Sequence, residues 1–124
     1  MNLRGVFADH GKYSFDCIGV VINVSNKNIY FTSDTCYRPD LPKLVPIKEQ
    51  IDVLIVPING KCGNPDPKDA SYITAWVKPK VVIPTHFWLF KEHGGDPGLF
   101  VDYCKIIAPQ SKIEVLSIGE KLAI

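Results

Sequence analysis

A chain of 124 residues is long enough for one compact domain and too short for two, so residues 1–124 are expected to fold as a single unit. With 14 basic and 13 acidic residues, net charge +1 and no long run of like charge, it lacks the footprint of a nucleic-acid or anionic-lipid binder. Its 46% hydrophobic and 22% charged residues fit a globular, soluble class.

The longest apolar stretch, Val53 to Ile58, is far shorter than the ~20 residues that span a bilayer. The start, Met1-Asn2-Leu3-Arg4-Gly5, lacks the apolar core of a signal peptide. Cys17, Cys36, Cys62 and Cys104 are scattered and form no C-x-x-C pair. Reduced thiols in a cytoplasmic protein are therefore expected.

In chain order, Val6-Phe7-Ala8 reads as a short strand ending at Asp9-His10. Ile18 to Val24 is apolar and β-branched, Ser25 to Asn28 is turn chemistry, and Ile29 to Thr32 follows; this pattern predicts a β-hairpin. The proline-punctuated stretch Tyr37 to Pro46 reads as loop or short helix. Val53 to Ile58, apolar on both faces, predicts a central buried strand.

Asp66-Pro67 opens a helix with an N-cap and a first-turn proline; Ala70, Ile73, Trp76 and Val77 share one face, and Pro79 ends it. Val81 to Pro84 is the next buried strand, giving a parallel βαβ unit. A second helix opens at Asp96-Pro97, with Leu99, Phe100, Tyr103, Ile106 and Ile107 as its apolar face, and Pro109 ends it. Glu114 to Ile118 and Lys121 to Ile124 predict a terminal hairpin around Gly119-Glu120. The class is α/β: a mixed β-sheet with flanking helices.

Three strand-like runs each end in a potential metal ligand: His10, Asp34 and His86. Imidazole and carboxylate are ligands that zinc and manganese accept. Parallel βαβ sheets bind ligands at the C-terminal ends of their strands. Asn59 and His86 follow the two βαβ strands and so share that edge. Each residue has a plainer reading: a histidine held structurally, Asp34 capping a turn, Asn59-Gly60 as a turn pair, His93 as an exposed loop residue. Cys36 and Cys62 follow candidate site segments, but inert loop thiols are the simpler reading.

The stretches Val6-Phe7-Ala8-Asp9-His10-Gly11, Tyr30-Phe31-Thr32-Ser33-Asp34-Thr35, Pro57-Ile58-Asn59-Gly60 and Pro84-Thr85-His86-Phe87 together resemble the metallo-β-lactamase superfamily. Order and spacing look most similar to the branch of L-ascorbate-6-phosphate lactonase and related cytoplasmic metal-dependent hydrolases. The segment from His86 to Pro97 is the most specific echo. The resemblance covers nearly the whole chain but corresponds to the C-terminal half of such an enzyme.

It implies half of an αββα sandwich. His10 would complete the first metal's ligands, Asp34 would bridge two metals as the catalytic carboxylate, and His86 would bind the second. Asn59 and His93 would lie near the substrate. The implied cofactor is Zn or Mn, weakly bound or absent in this chain alone. The implied substrate is a small-molecule lactone or ester, such as that of a sugar or phosphorylated sugar.

The family's H-x-H-x-D-H motif is absent; if Asp9-His10 were its tail, Gly5 and Phe7 would have to be histidines. The chain is thus expected to be a half-enzyme: a fragment, a split gene product or a decayed relative. The alternative is a non-catalytic α/β binding or assembly module derived from that fold. Since only about two helices are available to a sheet apolar on both faces, one face should remain uncovered. Self-association through it as a two-fold dimer, or pairing with a complementary N-terminal half, is expected.

Overall fold

The computed structural model describes residues 1–88 and 90–124; Leu89, within the segment carrying the most specific resemblance, lies outside the described residues. Among these, six strands form one sheet in sequence order: β1 (Asn2–Phe7), β2 (Ile18–Val24), β3 (Lys27–Phe31), β4 (Val53–Pro57), β5 (Val81–Thr85) and β6 (Lys112–Ile113). β1–β2 and β2–β3 are antiparallel, and β3 through β6 are parallel. It follows that β1, β3, β4, β5 and β6 all run one way, with β2 opposed. The C-terminal ends of β1, β3, β4 and β5 therefore meet at one edge.

The expected mixed α/β sheet with flanking helices is present. Its hairpin turn is tighter than the composition suggests. Ser25 and Asn26 take φ values of 50° and 60°, so strand pairing resumes at Lys27. Two left-handed residues match the right-handed twist of the flanking strands. The Tyr37–Pro46 stretch contains the one-turn helix α1 (Leu41–Leu44).

Helices α2 (Pro67–Val77) and α3 (Pro97–Ile107) begin at the expected caps: the Asp66 carboxylate accepts from the Asp69 N–H at 2.8 Å, and that of Asp96 from the Gly98 N–H at 2.7 Å. In α2, Ala70, Ile73 and Val77 are buried. In α3 the buried stripe is Pro97, Phe100 and Cys104, while Leu99 and Ile106 are exposed, which corrects the predicted face. Contact with α2 decides which stripe is covered.

The terminal hairpin does not form. Residues 112–113 add to β5 as β6, and the turn at Ser117–Glu120 closes without paired strands around it. Edge pairing on β5 supplies hydrogen bonds only as far as Glu114, whose N–H reaches the Val82 carbonyl.

The two sheet faces differ in cover. Val21, Tyr30, Leu54, Val56 and Val82 belong to the buried core with α2 and α3. Cross-strand register places Leu3, Ile22, Ile29, Val53 and Val81 in one row of the other face, beside a row of Gly5, Val20, Phe31, Ile55 and Ile83. This face is continuous and apolar, and Leu3, Ile18 and Phe31 are exposed on it. Among the described residues, no helix is long and apolar enough to cross a membrane.

Candidate metal centre

Each strand at the shared edge leaves the sheet through a residue in the left-handed region: Gly11 (φ 57°) after β1, Ser33 (59°) after β3, Gly60 (62°) after β4 and His86 (60°) after β5. For serine and histidine this conformation is unfavourable, and such strain concentrates at functional sites. These reversals hold the strand-end side chains together.

His10 is positioned by stitching between the β1 end and the segment after β3. The Asp9 N–H donates to Thr35 Oγ1 at 3.0 Å, and the Cys36 N–H to the Asp9 carbonyl at 2.6 Å. The Asp9 carboxylate accepts from Arg38 Nη1 at 2.8 Å and from the Gly11 N–H at 2.9 Å. Arg38 also grips Asp40. Hydrogen bonding to Arg38 holds the Asp9 carboxyl below the usual carboxylate range. Asp9 is thus engaged structurally, and burial, reinforced by Asp9, raises the pKa of the Cys36 thiol.

Asp34 stands between two imidazoles. His10 Nε2 lies 3.7 Å from its Oδ2, and His86 Nε2 lies 3.7 Å from its Oδ1. Those distances are too long for hydrogen bonds. They suit donors sharing an ion: two ligands ~2.1 Å from one cation stand ~3.4 Å apart at the tetrahedral angle, and farther apart as it opens. Nδ1 of both histidines is buried without a hydrogen-bond partner. Two imidazole nitrogens facing one carboxylate form a donor set of the kind that divalent zinc or manganese accepts.

The set is partial. Among the described residues, no three His, Cys, Asp or Glu side chains gather around a single point. The pairwise geometry accounts for this, because the two histidines address opposite oxygens.

Asn64 is a further site residue that the sequence did not reveal. Its Nδ2 donates to Asp34 Oδ1 at 2.9 Å. The loop after β4 folds back to deliver it, closed by a bond from the Gly60 N–H to the Pro65 carbonyl at 3.0 Å. The Asp34 carbonyl in turn accepts from Cys17 Sγ at 3.2 Å.

Asn59 is fully buried, with Oδ1 unpartnered. His93 is half-buried rather than exposed, its ring 6.0 Å from that of His86 and 4.9 Å from that of Phe90. Gly95 makes this possible: at φ 92°, a Cβ there would lie 2.9 Å from the Ile58 carbonyl oxygen and 3.0 Å from Asn59 Cα. The 93–95 loop therefore lies directly against the end of β4. Cys62 is exposed.

Compared with known families, residues 6–86 match one described as a Beta-lactamase superfamily domain. The chain belongs to the metallo-β-lactamase superfamily. It is 31% identical over 104 residues to a protein of Lysinibacillus sphaericus named a UPF0173 metal-dependent hydrolase, covering 84% of this chain and 43% of that protein. Igni18, a metallo hydrolase of Ignicoccus hospitalis, superposes with a TM-score of 0.78 at 25% identity, over 95% of this chain and 50% of that one. YhfI from Bacillus subtilis, a metallo-β-lactamase fold protein, gives 0.73 at 17% identity over 95% and 47%, a likeness of fold. The chain spans less than half the length of curated relatives such as these.

Proposed function

We propose that this chain is the C-terminal, ligand-bearing half of a metal-dependent hydrolase that cleaves a carboxylic ester or lactone. The observation that carries this reading is Asp34, flanked by the Nε2 atoms of His10 and His86 at 3.7 Å from opposite oxygens. The similarity to proteins named metal-dependent hydrolases supports it. The lactonase-like resemblance adds small sugar lactones as the substrate class.

His10, Asp34 and His86 would hold divalent zinc or manganese. When bound, such ions lower the pKa of water toward ~7 and polarise a carbonyl. With such ions bound, Asp34 would orient the nucleophilic water. Asn64 fixes the Asp34 carboxylate so that both oxygens keep their assigned histidines. His93 borders the substrate beside His86, and Asn59 supports it from beneath through the packed 93–95 loop.

Chelator-treated protein reloaded with zinc or manganese tests the assignment. Metal uptake should be weak in the isolated chain and lost in His86→Ala. Uptake unchanged in both His86→Ala and Asp34→Ala would refute it.

A second reading, a non-catalytic binding or assembly module, is favoured by the absence of a three-ligand cluster among the described residues. Metal uptake separates the two.

The open sheet face needs a cover under either reading, since soluble proteins rarely expose so continuous an apolar surface. We propose a second sheet there, from a complementary N-terminal half or from a second copy in a two-fold dimer. Sedimentation equilibrium should show association that weakens in Phe31→Lys, and a concentration-independent monomer would exclude the dimer.

A further inference from the structure

We propose that the cleft beside His86 is a subsite for an apolar, uncharged group of the substrate, a deepening that rests on the hydrolase reading above. The cleft measures ≈ 640 Å³, within the ~300–1,000 Å³ of small-molecule pockets. It forms where β5 and the chain after β6 diverge. Ile83, His86 and Trp88 line one wall, Ile83 marking the margin where the cleft adjoins the open sheet face; Val115, Leu116 and Ile118 line the other.

Two features connect it to the metal centre. His86 is both a wall of the cleft and a neighbour of Asp34, so a group in the cleft lies next to the reacting carbonyl. His86 and Trp88 also both take left-handed backbone conformations, at φ 60° and 55°. The turn thus keeps the imidazole beside Asp34 while the Trp88 indole stays exposed at the rim, edge-on to Phe87 at 5.3 Å.

The chemistry of the lining selects the occupant. Thr85 and Ser117 bring hydroxyls, but none of the described lining residues carries a fixed charge. A phosphate placed there would give up hydration with no cation to replace it. An alkyl or aryl group gains instead, by ~fourfold in affinity for each methylene buried. The exposed side chains of Trp88, Val115 and Ile118 supply that contact. The substrate implied is an ester or lactone whose acyl part bears a hydrocarbon or aromatic group in place of the polyol of a sugar lactone.

The test uses two ketones that present an ester-like carbonyl and cannot be cleaved: 4-phenyl-2-butanone and 2-butanone. Binding to the purified chain is measured by saturation-transfer NMR. The ring-bearing ketone should bind at least ~tenfold tighter, consistent with burial of several apolar carbons. That advantage should vanish in Trp88→Ser and Val115→Glu, exposed positions whose folding is checked by circular dichroism. It should survive Leu3→Glu on the open sheet face and Asp34→Asn at the metal centre.

No ring preference in the wild type, or a preference that survives both cleft variants or falls with Leu3→Glu, overturns the subsite. Metal uptake unchanged by Asp34→Asn would instead count against the hydrolase reading and leave the subsite standing.

Discussion

Asp52 and Asp34 sit at opposite edges of the same sheet, and their surroundings differ in one respect. Asp52, at the N-terminal edge, is closed: Oδ1 accepts from Lys80 Nζ at 2.7 Å and Oδ2 from the Asn28 N–H at 2.8 Å. Asn28 is itself satisfied by Asn23 and the Gln50 carbonyl. Asp34 has one hydrogen bond to its side chain, from Asn64, and two imidazoles standing off at 3.7 Å. Among the described residues, the buried side-chain polar atoms lacking partners belong to His10, Asn59, Asn64, His86 and His93, all in segments that leave the C-terminal edge of the sheet. One edge is closed by hydrogen bonds; the other keeps its carboxylate facing two imidazoles.

The largest expected separation between the edges is metal-linked stability. At a hundred times the dissociation constant, zinc or manganese should stabilise the wild type by ~2.7 kcal/mol. In thermal melts Asp34→Ala should lose this increment and Asp52→Ala should keep it. The next effect runs the other way. Without metal, Asp52→Ala should cost ~2 kcal/mol in urea unfolding, as the Asn28 amide and the exposed Lys80 both lose their charged acceptor, while Asp34→Ala should cost under ~0.5 kcal/mol. Equal losses would break the comparison.

Asn64→Ala should weaken metal binding by ~tenfold, as loss of an orienting partner does, without a comparable fall in the unfolding midpoint. Ser33→Gly should relieve the left-handed strain and stabilise by ~1 kcal/mol. The smallest effect is the pH response. Lys80 and the Asn28 amide hold the Asp52 carboxyl below its ordinary value. Its contribution is therefore complete above the unfolded-chain pKa of ~3.9 and lost as pH falls through the lower folded value. Asp52→Asn should flatten stability against pH in that acid window.

What the sequence made legible was what short-range chemistry decides. Continuous apolar runs marked β4 and β5, the Asp-Pro pairs marked both helix starts, and strand order brought His10, Asp34 and His86 to one edge. The residues missed depend on distant partners. Asn64 sits among turn residues with no periodicity, and only the loop from Gly60 to Pro65 carries it to Asp34. The Asp9–Arg38 pair spans separate segments in the same way. The α3 face and the terminal hairpin failed for a related reason: hydrophobicity says a residue can be buried, but the neighbouring element decides whether it is.

The crowding at Gly95 suggests a way to tune the pocket. Because there is no room for a methyl group against Ile58 and Asn59, Gly95→Ala would force the 93–95 loop off its support. His93 would move away from His86 with neither imidazole replaced. A single position remote from the reacting groups could therefore serve as an adjustable spacer for engineering the width of the entrance.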